Sequence, residues 1–218
     1  MNRILFEKTG MAKYISHLDL MRTMQRALIR AGFEIKHTQG FNPHPHMVFA
    51  LPLPVGCESV CEIMDFELIG EKSDKEIVDG LNNSLPEGIR VLDAYTAERK
   101  LKELSLVEME ITYIYDREIG EAEADKLREL FSGQELIVNK KTKKGYADIN
   151  ILEMIDKIEI SVYNKDEIKI GTVIAAQNPS LNPLLITAAV QNYAPEVYPD
   201  QVSYMRKAVF DNNKDIFK

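Results

Sequence analysis

The chain has 218 residues, 45% of them apolar and 28% charged, which is globular composition with enough apolar material for one large domain or two smaller ones. No stretch approaches the roughly 20 apolar residues of a membrane span, and the start, Met1-Asn2-Arg3-Ile4-Leu5-Phe6-Glu7-Lys8, lacks a signal-peptide core, so a cytoplasmic protein is expected. The net charge of −7 excludes a generally basic nucleic-acid binder but hides an asymmetry: residues 1–50 hold seven Lys/Arg against three Asp/Glu, whereas residues 51–138 hold nine against 21.

Residues 3–8 read as a short strand. Ser16 is placed to cap a first helix, with Asp19 favoured in its first turn. Leu20, Met24, Ala27, Leu28 and Ala31 keep the spacing of one buried face, and Gly32 stands where a helix usually terminates. Arg22, Arg26 and Arg30 follow at four-residue intervals and form a stripe on another face. Phe33–His37 and Met47–Leu51 read as strands joined by a Gly/Pro-rich loop, with Val60–Leu68 continuing Met47–Leu51 around a Pro52–Gly56 turn. Ser73 caps a second helix to about Leu85, and Ile89–Tyr95 closes the unit. That order is β-α-β-β-α-β, the ferredoxin-like signature.

The charged run Glu98–Glu103 marks a boundary. Beyond it, Val107–Tyr115 alternates as a strand, Glu121–Phe131 is a helix, and Leu136–Asn139 and Tyr146–Asn150 flank a lysine-rich turn with Lys140, Lys141, Lys143 and Lys144. Ile158–Tyr163 and Ile168–Ala175 form a hairpin, a helix opens at Asn182 or Pro183, and Val202–Val209 is the last strand. The expectation is an α+β protein of two tandem ferredoxin-like units with antiparallel sheets, residues 1–99 and 104–218.

All four histidines, His17, His37, His44 and His46, fall within 30 residues of the basic N-terminal segment. Histidine changes charge near neutral pH and serves as acid, base or metal ligand, so a chemical site belongs here if there is one. His17 opens the first helix, where positive backbone potential favours the neutral ring, as a base or as a cap-region residue. In Gln39-Gly40-Phe41-Asn42-Pro43-His44-Pro45-His46 two prolines stiffen the loop, and stiff loops commonly carry binding groups. Tyr14, Phe41 and Phe49 offer stacking surfaces or core packing. Cys57 and Cys61 are too few for an iron–sulfur cluster. With His44 and His46 they have zinc-ligand chemistry but the spacing of no common zinc module, so no metal is expected. Ser16, His17 and Asp19 are neighbours on one helix and cannot form a hydrolase relay. There is no phosphate loop or dinucleotide glycine pattern, and no cofactor is expected.

The segments Ile15-Ser16-His17-Leu18-Asp19-Leu20-Met21-Arg22, Gln25-Arg26-Ala27, Gln39-Gly40-Phe41-Asn42-Pro43-His44-Pro45 and Leu53-Pro54-Val55-Gly56 closely resemble the radical SAM-linked bacterial domain of unknown function. Lys143–Ile149 and Asn182-Pro183-Leu184 resemble its weaker second-half motifs, so the likeness runs over the whole chain. It implies a radical SAM protein as partner and a part in RNA or ribosome maturation. His46 stands where that family is usually basic, and Cys57 and Cys61 match none of its motif positions. A looser, fold-level likeness is to the ferredoxin-like CRISPR repeat-processing endoribonucleases.

Three functions follow as expectations. The first is a non-catalytic RNA-recognition or adaptor module, with His17, Arg22, Arg26, Gln39, Phe41, Asn42, His44 and His46 as binding residues. The second is a metal-independent ribonuclease or RNA-modification enzyme using His17 and His44, and the third is a protein-binding scaffold. A β-α-β crossover should bring the Gln39–His46 loop beside the start of the first helix, converging with His17, Arg22 and Arg26 on one pocket.

Overall fold

The computed structural model describes residues 1–142 and 145–218, which divide into two compact units, Met1–Leu104 with Ile216–Lys218, and Ser105–Asp215. The protein is α+β, with antiparallel strand pairing and four α-helices among the described residues. Among the described residues no helix is long and apolar enough to cross a membrane.

The first unit runs β1 (Asn2–Lys8), α1 (His17–Arg30), β2 (Met47–Phe49), β3 (Cys57–Phe66), α2 (Asp74–Asn82) and β4 (Ile89–Thr96). Its strand order is β4-β1-β3, with β2 paired to β3. Successive residues of a strand point to opposite faces. Ile4 and Phe6 of β1, Met64 and Phe66 of β3 and Val91 of β4 therefore share the face covered by the helices, where they meet Leu20, Met24 and Leu28 of α1 and Ile77 and Leu81 of α2. On the other face Arg3 and Asp65 stand directly opposite each other.

Local chemistry sets the ends of α1. Ser16 Oγ accepts from the Asp19 backbone N–H at 3.1 Å. At the other end Gly32, at φ +76°, lets Phe33 N–H reach Leu28 O and its own N–H reach Ile29 O, satisfying carbonyls that the helix leaves open. Ala31, expected in the buried stripe, is only partly buried. α2 has the full reciprocal cap, Ser73 with Glu76. It ends at Asn82, three residues short of the expected Leu85, and the Asn82 side-chain amide hydrogen-bonds the N–H and C=O of Val91 at 2.8 and 2.9 Å.

Two strand expectations need correction. Phe33–His37 is not a strand: Ile35 bridges Leu68 while His37 bridges Pro45, and a segment that changes partner within two residues builds no ladder. Met47–Leu51 and Val60–Leu68 are not one strand either. β2 and β3 are separate and antiparallel, with Met47 opposite Phe66 and Phe49 opposite Met64. β3 begins at Cys57, earlier than its alternation shows, because both of its faces are buried over most of its length.

The second unit runs β5 (Leu104–Ile114), α3 (Glu121–Phe131), β6 (Ile137–Thr142), β7 (Gly145–Asn150), β8 (Ile155–Val162), β9 (Glu167–Ala175), α4 (Leu184–Tyr193) and β10 (Gln201–Asp211). The strand order is β10-β5-β9-β8, and among the described residues β6 and β7 pair with each other as a separate two-stranded sheet. Thr187 of α4 accepts hydrogen bonds from Tyr113 and Tyr204, at 3.2 and 2.7 Å, which locks the helix onto the sheet. Lys143 and Lys144, expected at the tip of the β6–β7 hairpin, lie outside the described residues.

Candidate binding sites of the first unit

Residues 36–46 form a pinned hairpin. Thr38 N–H donates to His44 O at 2.8 Å, His46 N–H to Lys36 O at 2.8 Å, and His44 N–H to Thr38 Oγ1 at 3.2 Å. His44 Nδ1 lies 3.0 Å from Thr38 Oγ1, so the ring is held against its own hairpin. At the base, Glu67 takes Lys36 Nζ at 2.7 Å and faces His46 Nδ1 at 3.6 Å. The Lys36 hydrogen bond leads in lowering the Glu67 carboxyl below its ordinary value, with His46 adding to the effect. Beyond these anchors the tip projects Phe41, 114% exposed, between the polar side chains of Gln39, Asn42 and His44. A phenyl ring at full exposure makes no contribution to the core; its position is available to a partner.

His17 opens α1. Its ring packs edge-on against Phe49 with centroids 5.3 Å apart, and Phe49 in turn packs edge-on against Phe6 at 6.1 Å. β2 thus places an aromatic ring under the first turn of α1. The segment leading into the helix is held by buried Lys8, whose ammonium donates to the carbonyls of Lys13 and Ile15, both at 3.3 Å. Arg22 is engaged by Asp19 at 3.4 Å, and Ser16 Oγ donates to the same carboxylate at 2.7 Å.

Arg26 opens into a different feature, a cleft of about 660 Å³ between α1 and the segment after α2, lined by Thr23, Arg26, Arg30, Asn83, Ser84, Leu85 and Pro86. Arg30 Nη2 donates to Ser84 O at 2.6 Å and ties the two walls together.

The eight expected binding residues fall on three structural features: the hairpin (Gln39, Phe41, Asn42, His44, with His46 at its base), the first turns of α1 (His17, Arg22), and the wall of the α1–α2 cleft (Arg26). No described hydrogen bond or ring contact joins His17, Arg22 or Arg26 to residues 39–46. Nor does one join His17 to His44. Thr23, Asn83 and Ser84 were missed by sequence reasoning, and Arg30 was seen only as part of the stripe. The 3.6-residue period that puts Arg26 and Arg30 on one face was readable, but nothing local announces that residues 83–86 come to meet them. Cys57 and Cys61 are buried in β3 and not joined in a disulfide. Among the described residues no group of three His, Cys, Asp or Glu is arranged to hold a metal.

No curated protein matches the chain. Among solved structures it is similar to a Cbf5-Nop10-Gar1 complex, with TM-score 0.50 and 10% identity over 95% of this chain and 48% of that chain. It is also similar to an archaeal box H/ACA sRNP Nop10-Cbf5 complex (TM-score 0.42, 11% identity, 94% and 46%) and to an unknown protein from Galdieria sulphuraria (TM-score 0.27, 11% identity, 94% and 96%). The chain spans about half the length of the first two, and at 10% identity the likeness to the first is one of fold alone. Residues 2–183 match the family described as "Uncharacterized protein conserved in bacteria (DUF2344)", and the chain belongs to that family.

Proposed function

We propose that the protein is a non-catalytic RNA-recognition or adaptor module that acts in the cytoplasm beside a radical SAM protein, and that each of its units is ferredoxin-like. The second part is supported by the shared β-α-β-β-α-β order and by strand orders β4-β1-β3-β2 and β10-β5-β9-β8, with β6–β7 as an insertion in the second unit. The partner comes from the sequence resemblance alone.

The single observation that carries the RNA reading is Phe41, wholly exposed at the end of a hairpin held in shape by Thr38 and His44. Single-stranded RNA is recognised by stacking unpaired bases on aromatic rings, with side-chain amides and imidazoles bonding the base edges. Gln39, Asn42 and the second ring nitrogen of His44 supply such groups on the same hairpin. A pre-shaped hairpin loses little conformational freedom on binding. The ribonuclease reading needs His17 and His44 within reach of one substrate, and no described hydrogen bond or ring contact joins them: His17 packs on Phe49 and His44 on Thr38.

The test is binding of single-stranded RNA to the full chain and to Phe41→Ala, over a salt series. Loss of one stacked base costs about 1–3 kcal/mol, or about 5- to 150-fold in Kd. Folding should be unaffected, since Phe41 packs against nothing. No RNA affinity at low salt, or equal affinity in Phe41→Ala, refutes the reading.

A further inference from the structure

The cleft between α1 and the segment after α2 has a composition at odds with the protein around it. The chain carries net charge −7, yet none of the seven lining residues is a carboxylate and two are arginines. Arg22, one turn earlier on α1, is paired with Asp19. Arg26 makes no hydrogen bond or ion pair among the described residues. Arg30 commits Nη2 to Ser84 O, which holds the fork at the cleft wall and leaves its other N–H groups for a ligand. The hydroxyls of Thr23 and Ser84 and the amide of Asn83 complete a set rich in donors.

Each wall is braced. Arg26 and Arg30 are separated by one helical turn, so their side chains emerge side by side. The opposite wall is fixed by the Asn82–Val91 hydrogen bonds and by the Arg30–Ser84 link. A guanidinium fork matches the oxygens of a phosphoryl group and binds them in pairs. A cation is excluded by the two charges, and Leu85 and Pro86 alone are too little for an apolar peptide. Beyond the Leu85-Pro86 rib a second depression carries three carboxylates, Glu7, Asp79 and Glu87, against one arginine, Arg90, and so is net acidic. That acidic side repels a polyanion and leaves the α1 side as its path.

We propose that this cleft is a phosphoryl-binding site, in which Arg26 is the main ligand group and Arg30, Thr23 and Asn83 close on the same oxyanion. The phosphoryl group belongs either to a free or terminal phosphate or to a nucleic-acid diester. The chemistry is shared, and the site is separate from the hairpin.

The experiment uses the full chain with three probes: inorganic phosphate, adenosine 5′-monophosphate, and a hexauridylate bearing a 5′-hydroxyl. Binding is read from backbone amide shifts and by calorimetry. At least one probe should move the amides of Thr23, Arg26 and Ser84. Arg26→Ala and Arg26→Gln should each weaken that probe about tenfold or more, and Arg26→Lys, which keeps a point charge, should weaken it less. Binding of the two monophosphates alone identifies a free or terminal phosphate, and binding of the hexauridylate identifies a diester. Because arginine stays charged, monophosphate affinity should rise with pH as the second phosphate proton leaves near pKa ~6. The proposal is overturned if no probe shifts those amides, or if both variants bind with unchanged affinity. Hexauridylate binding that needs Phe41 but not Arg26 sinks the cleft and keeps the hairpin reading; the reverse dependence does the opposite.

Discussion

Asp65→Asn should cost the first unit a large part of its stability, although the position touches neither candidate binding site. Arg3 is fully buried, and Asp65 meets it through two bonds, Nε to Oδ1 at 2.6 Å and Nη2 to Oδ2 at 2.9 Å. The same guanidinium donates to Arg99 O at 2.8 Å and Lys218 O at 3.2 Å, and lies 5.2 Å from the Phe217 ring centroid. Removing the carboxylate charge leaves that cation buried without its counter-charge, a defect of about 3–5 kcal/mol. Domain stabilities are about 5–15 kcal/mol, so the unit would become marginal. For a unit of this size the melting temperature should fall by roughly 12–25 °C. Arg3→Met with Asp65→Leu removes both charges, so the double variant should cost at least about 2 kcal/mol less than the two single changes added together. Urea unfolding followed by circular dichroism gives the totals, and hydrogen exchange in β1 and β3 assigns the loss to this unit. Strictly additive costs, or a loss below about 1 kcal/mol for Asp65→Asn, would refute the reasoning.

Three further outcomes are expected. Gly88, at φ +84°, would bring an added Cβ within 2.5 Å of Thr9 O and 2.9 Å of Ala12 Cβ, so Gly88→Ala should destabilise by about 2–5 kcal/mol in urea melts, backbone strain and overpacking together; a cost near zero contradicts this. Burial pushes Tyr115 up to about 12 and Tyr113 higher still, so both should ionise after the exposed tyrosines in an ultraviolet titration. Because the Tyr115 value is raised in the folded state, its contribution is complete below pH ~10 and disappears as pH climbs towards about 12; early, uniform titration of all nine tyrosines would disprove it. Glu67, lowered by Lys36, should show a carboxyl midpoint below 4.5 by NMR, moving up to the ordinary range in Lys36→Met; its support of the hairpin base holds above the ordinary value and fades as pH drops through the lowered one.

Much of the secondary structure was legible because it is written in short-range chemistry. Glu121–Phe131 is the helix that its spacing predicts, and Ser16 and Ser73 cap where serines at those positions should. Gly32 ends α1 because only a residue that tolerates positive φ completes that cap. Strand ends were read less well. β10 extends past both expected limits and β3 starts three residues early while ending two residues short, since a ladder runs where a neighbour offers hydrogen bonds, whatever the alternation says.

The sequence by itself determined the α+β class, the positions of the helices, the basic N-terminal segment and the stiffness of the Gln39–His46 loop. These follow from periodicity, capping and backbone restriction, which act over a few residues. Only the tertiary structure decided what each candidate residue faces. It turned His17 onto Phe49, spent Arg22 on Asp19, left Phe41 without neighbours and set Arg26 across from Asn83 and Ser84. It also joined Arg3 to Asp65, 62 residues away. Such partners are chosen by strand register and by how two helices lie on one sheet, and those depend on the packing of the whole core rather than on any window of the chain.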